Sequence, residues 1–111
     1  MKKIQINSIY VNDGQTVITL FYDESRNSMW YIIDEINRSN GCAMINIEVS
    51  DELKEEILDH AEKVWGAGPD FYILKCFRPI SSELMSFIED CWDAIRRQER
   101  KLFPIETEND K

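Results

Sequence analysis

Two runs rich in Ile, Val, Thr, Tyr and Phe, residues 2–11 and 15–22, flank Asn12-Asp13-Gly14, and nothing else in the 111-residue chain constrains its fold as tightly. β-Branched and aromatic side chains fit the pleated surface of a sheet, and Gly accepts the positive φ that a tight connection demands. The spacing predicts an antiparallel hairpin, so the fold contains a sheet from its first residues onward.

Residues 42–49 alternate in the same period, with Ala43, Ile45, Ile47 and Val49 on one face and Cys42, Met44, Asn46 and Glu48 on the other. That pattern predicts a half-buried strand. The segment 29–37 reads two ways: Met29, Ile33 and Ile36 would line a helix, whereas Trp30, Ile32 and Ile36 would line a strand. The following Ser39-Asn40-Gly41 suits a hairpin turn or a left-handed helix cap, and strand is the preferred reading.

Ser50, followed by Asp51 and Glu52, predicts a helix start, because a side-chain oxygen satisfies a free amide and acids favour the first turn. Leu53, Ile57, Leu58, Ala61, Val64 and Trp65 continue at helical steps until Gly66 to Pro69. Residues 70–77 are apolar on both alternating faces, as in an interior strand. Pro79, Ser81 and Ser82 then open a second helix whose stripe is Leu84, Phe87 or Ile88, Cys91, Ile95 and Leu102, with Pro104 as its stop. The expected fold is α+β: a mostly antiparallel sheet of four to five strands packed by two helices, in the order β-β-β-β-α-β-α. A single domain over 1–104 and a disordered tail over 105–111 are expected. A chain of this length buries about two-thirds of its unfolded surface, so its core needs no metal or disulfide.

Composition bounds the partners. Twenty-one acids against 13 bases give a formal charge of −8, which disfavours nucleic acid and anionic lipid and favours basic proteins. No apolar run approaches the ~20 residues of a membrane span, and Gln5, Asn7 and Ser8 interrupt what would be the apolar part of a leader. Asn37-Arg38-Ser39 matters as a glycosylation acceptor only in a secreted chain. Cys42, Cys76 and Cys91, odd in number and set in apolar runs, read as reduced core thiols. A cytoplasmic protein is expected.

Chemistry-bearing motifs are sparse. His60 is the single histidine and no two cysteines have zinc-site spacing, so neither a metal site nor a cofactor is expected, and His60 reads as a solvated surface residue. Gly66-Ala67-Gly68-Pro69 lacks the Gly-Lys-Ser/Thr end of a phosphate loop and reads as a helix cap plus turn. Pro69-Asp70 and Glu52-Leu53-Lys54 hold the pieces of a nuclease-type constellation in reversed order. The carboxylate pairs Asp34-Glu35, Glu55-Glu56 and Glu89-Asp90 point apart and read as solvated faces. An enzyme using carboxylates and a hydroxyl such as Tyr10 or Tyr72 is the least favoured class. Arg96 to Lys101, net +3, suits a helix C-terminus rather than a nucleic-acid patch.

The densest feature is Glu48 to Glu62, seven acids against Lys54 alone. At helical steps Glu52, Glu55, Glu56, Asp59 and Glu62 would form one carboxylate stripe, although like charges so spaced oppose the helix. Trp30 and Tyr31, interleaved with Asp34 and Glu35, and Trp65 are the candidate apolar anchors. These residues define the expected partner-binding set of a non-catalytic inhibitor, of immunity, antitoxin or phage anti-defence type. Its partner would be a protein with a basic surface, a toxin or nuclease, with no membrane or nucleic-acid ligand. The alternative is a homodimeric structural or adaptor protein that uses apolar strand surface at Ile18 to Tyr22 or Trp30 to Ile36.

Overall fold

The computed structural model describes residues 1–35, 41–75 and 79–103. Strands β1 (Lys3–Val11), β2 (Thr16–Asp23), β3 (Ser28–Glu35) and β4 (Gly41–Ile45) form an antiparallel meander. Helix α1 (Asp51–Asp59) then carries the chain to the other edge of the sheet, where β5 (Ala61–Lys63) and β6 (Phe71–Leu74) pair as a hairpin, and α2 (Ser82–Gln98) follows. The strand order is β4-β3-β2-β1-β6-β5, with β6 parallel to β1 and every other pair antiparallel. The fold is therefore α+β, with a six-stranded mixed sheet and two helices among the described residues. No helix among the described residues is long and apolar enough to cross a membrane.

The first hairpin closes through Asn12, Asp13 and Gly14, all at positive φ, with Gly14 N–H donating to the Val11 carbonyl at 3.1 Å. Asn and Asp tolerate the left-handed region better than other non-glycine residues, which is why three successive residues can occupy it. Segment 29–35 is a strand, in the preferred of its two readings. Both helices begin where capping chemistry placed them: Ser50 Oγ accepts from Leu53 N at 3.2 Å and Ser81 Oγ from Leu84 N at 3.0 Å.

Three expectations about extent are corrected. α1 stops at Asp59, and residues 61–63, expected to continue it, pair with β6; His60 caps the helix while its carbonyl accepts from Lys75 N at 2.8 Å. Helical periodicity lost there to a strand partner that local sequence could not reveal. Gly66 (φ 86°) and Gly68 (φ 109°) accordingly turn the β5–β6 hairpin rather than cap a helix. The strand expected over 42–49 ends at Ile45, although its faces are as expected, with Ile45 and Val49 buried and Cys42, Met44, Asn46 and Glu48 exposed. α2 ends at Gln98 rather than near Pro104; Glu99 caps it, and Leu102 packs against the core from beyond the cap. Cys76 and the tail expected over 105–111 lie outside the described residues.

Both helices cover one face of the sheet. Ile18, Leu20 and Tyr22 of β2, with Met29 and Tyr31 of β3, meet Ile57 of α1 and Leu84, Phe87, Cys91, Trp92 and Ile95 of α2. In β1, Ile4 lies opposite Tyr22 and Ile9 opposite Ile18, both inward although five residues apart; an irregularity between Gln5 and Asn7 restores the phase. It also sets Asn7, opposite Leu20, on the helical side of the sheet, where it stays exposed and its Oδ1 accepts from Trp92 Nε1 at 2.9 Å.

Among the described residues, no helix lies on the other face of the sheet. Val17 and Phe21 of β2 point outward there, flanked by Trp30 and Ile32 of β3. Cys42 and Met44 extend that surface on β4, and Phe71 and Ile73 extend it on β6.

Candidate functional site

The helical layer faces solvent with carboxylates. α1 and the residue chain leading into it expose Glu48, Asp51, Glu52 and Glu55, and α2 exposes Glu83, Glu89, Asp90 and Asp93. Between the two helices runs a shallow trough of about 580 Å3, with Leu53 and Phe87 as its apolar floor and Glu83 and Asp90 on its wall. A second hollow of about 350 Å3 continues it along α2 past Glu89, Asp90 and Asp93 and against Trp92. Ser86 and Asp90 border both, so the two form one acidic channel. Few cations compete for it: Lys54 is half-buried, and the Arg96 guanidinium binds Asp93 at 3.3 Å. Carboxylates above an apolar floor match the head and stem of Lys and Arg side chains, which bury their methylenes while the charge stays paired.

The expected carboxylate stripe does not survive as one surface. Glu52 and Glu55 are exposed on α1, and Asp59 is exposed at its end. Glu62 stands on β5, because the helix has already ended. Glu56 is committed elsewhere: its carboxylate accepts from Ser81 N at 2.6 Å and Ser81 Oγ at 2.5 Å, tying α1 to the start of α2. The Ser81 hydroxyl hydrogen bond holds the Glu56 carboxyl below its ordinary range against the opposing effect of partial burial, and the Ser81 amide and nearby His60 act in the same direction as the hydroxyl.

The aromatic anchors are dispersed as well. Tyr31 points into the core at 2% exposure and donates its hydroxyl to Glu99 Oε2 at 2.6 Å, locking β3 to the end of α2. Burial pushes its phenol pKa up, and the Glu99 hydrogen bond adds to the shift. Trp30 lies half-buried on the open face, donating to Ser28 Oγ at 2.8 Å, with the Arg26 guanidinium 4.9 Å from its ring. Trp65, expected on the inner stripe of α1 as well as in a binding set, is 85% exposed in the β5–β6 turn beside Lys63. Asp34 is exposed on the open face, whereas Glu35 lies half-buried on the helical side, opposite Thr16.

His60 is buried rather than solvated. Its Nδ1 lies 3.0 Å from the Glu56 carbonyl, which can only accept, so Nδ1 donates there, and Nε2 is buried with no hydrogen-bond partner among the described residues. The expectation failed because the chain turns at His60 from helix into strand, and the residue is buried at that junction. Cys42, expected in the core, is exposed on β4, while Cys91 is fully buried and its thiol is pushed up to about 12 by desolvation, with Asp90 adding to it. No group of three or more His, Cys, Asp or Glu side chains among the described residues is placed to hold a metal ion. The α2 acids Glu83, Glu89, Asp90 and Asp93 were missed as site residues because more than 20 residues separate them from the α1 acids in sequence. Their recurrence on the side of α2 away from Leu84, Cys91 and Ile95 was the available signal.

Fold and site define a two-layer α+β domain with an acidic helical surface. No family model, no curated protein and no solved structure matches the chain.

Proposed function

We propose that the protein is a non-catalytic inhibitor, of immunity, antitoxin or phage anti-defence type, that neutralises a basic partner through its helical layer. The observation that carries this reading is the acidic channel, in which α2 places Glu83, Glu89, Asp90 and Asp93 beside an apolar floor that α1 completes with Leu53, while the exposed acids Glu52 and Glu55 stand on the neighbouring α1. A nucleic-acid-handling enzyme has a cleft lined by Lys and Arg for phosphates. Glu52, Glu55, Glu83, Glu89 and Asp90 stand in for those phosphates, and Leu53 and Phe87 supply apolar contact. The formal charge of −8 steers such a partner during encounter and repels nucleic acid and anionic membranes. A cytoplasmic site of action, alongside the enzymes that handle nucleic acid, fits this role.

The test is capture by the tagged protein from an extract of its source cells, at low salt and at about 0.5 M salt, where exposed pairs are screened. The expected result is a stoichiometric basic enzyme, released by salt and inhibited when the pure protein is added back. A Glu52→Lys, Glu55→Lys, Asp90→Lys triple variant should lose capture while keeping its fold. Equal inhibition by the variant would overturn the reading.

A further inference from the structure

We propose that the open face of the sheet is a homodimer interface, covered by a second copy of this chain. The inference is independent of the acidic channel, which lies on the other layer. An antiparallel sheet with one solvated face presents polar residues there. Here β2, β3, β4 and β6 instead turn Phe21, Trp30, Ile32, Met44 and Phe71 outward. A hollow of about 310 Å3 crosses this face from Cys42 on β4 to Phe71 on β6, floored by Thr19, Phe21 and Ile32.

Charge distribution selects the occupant. Exposed acids cluster on α1 and α2, whereas outward charges on the open face sit at strand ends or on the edge strand, as Lys3, Asp34 and Glu62 do. Face-to-face packing of two copies therefore buries apolar surface and keeps both acidic layers far apart on the outside. The register places Lys3 at the Phe21 end of the sheet and Asp34 at the Val17 end. A two-fold axis that sets the two sheets antiparallel brings Lys3 of one copy to the same end as Asp34 of the other.

The size also fits. Each strand residue covers about 16 Å2 of sheet, so the six strands present about 600 Å2 before side-chain relief, at the lower end of the ~600 to ~1,000 Å2 per partner of a specific interface. Met44, 51% exposed beside the hollow and paired in register with Trp30, is the side chain placed to enter the hollow of the second copy. Its flexible thioether adapts to such a gap.

Sedimentation velocity of the full chain from about 1 to about 500 µM tests this by mass action. The expected result is conversion to twice the chain mass, with Ile32→Lys and Met44→Lys each raising the midpoint at least tenfold. The Glu52→Lys, Glu55→Lys, Asp90→Lys variant should dimerise as well as or better than the parent, which separates this test from that of the inhibitor reading. Alkylation of Cys42 in the unmodified sequence should slow at dimer-forming concentration, a readout that needs no folded variant. A monomer at every concentration, a dimer insensitive to both lysines, or a Cys42 rate independent of concentration would overturn the proposal.

Discussion

Glu56 does at the residue scale what its neighbours Glu52 and Glu55 do not. Its two hydrogen bonds to Ser81 connect the helices, and Ser81 Oγ in turn caps α2 through Leu84 N. Because the folded carboxyl is held below its ordinary value, this contribution is complete above the unfolded glutamate pKa of about 4.3 and disappears as pH falls through the lower folded value. Denaturant titrations from pH 7 to 3 should show that loss in the parent and a flatter profile in Glu56→Gln, with Glu56→Ala costing about 1 to 2 kcal/mol at pH 7. Tyr22 gives the opposite sign. Its phenol, buried and near Glu24 and Asp23, is pushed up to about 12 and donates to Asn27 Oδ1 at 2.5 Å. Its contribution is present below the unfolded value of about 10 and is lost as pH rises toward 12. Stability measured between pH 9 and 11 should fall more steeply in the parent than in Tyr22→Phe.

At the scale of elements, the irregularity in β1 joins the sheet to α2. Under strict alternation Ile4 and Ile9 belong to opposite faces; the extra residue brings both inward and presents Asn7 to Trp92. Removing the indole N–H breaks this bond and leaves an acceptor on the exposed Asn7 that water can satisfy, so Trp92→Phe should cost about 0.5 to 1.5 kcal/mol. A cycle with Asn7→Ala should recover a coupling of about 1 kcal/mol, measured by chemical denaturation. The hydrophobic phases of residues 2–11 contained this signal, but its partner, 85 residues away, did not appear in any local pattern. α1 shows the reverse case. Ala61, Val64 and Trp65 kept a helical period, yet pairing with β6 outweighed it, because a backbone ladder closes hydrogen bonds that an isolated extra turn of helix would leave frayed.

Across the whole molecule, the helical layer carries most of the exposed acids, and the centre of the open sheet face is largely apolar. The concentrated negative charge repels itself, so raising ionic strength from about 10 mM to about 0.2 M should raise Tm at pH 7, followed by calorimetry. Neutralising three acids of the helical layer with Glu52→Gln, Glu55→Gln and Asp90→Gln should shrink that dependence. The acidity was readable from the sequence. Its gathering into a channel depends on α1 and α2 lying side by side.

Sequence by itself determined the α+β class, the first hairpin, both helix starts and the inward face of β4, since each follows from backbone chemistry or periodicity within about ten residues. Only the tertiary structure decided that Glu56 is a tie between helices, that Tyr31 and His60 are buried and that Trp65 is exposed. It also decided that β5 exists and that β6 runs parallel to β1. These outcomes depend on which segments meet across the sheet, and the free energy of such pairing belongs to both partners and is not encoded in either stretch alone.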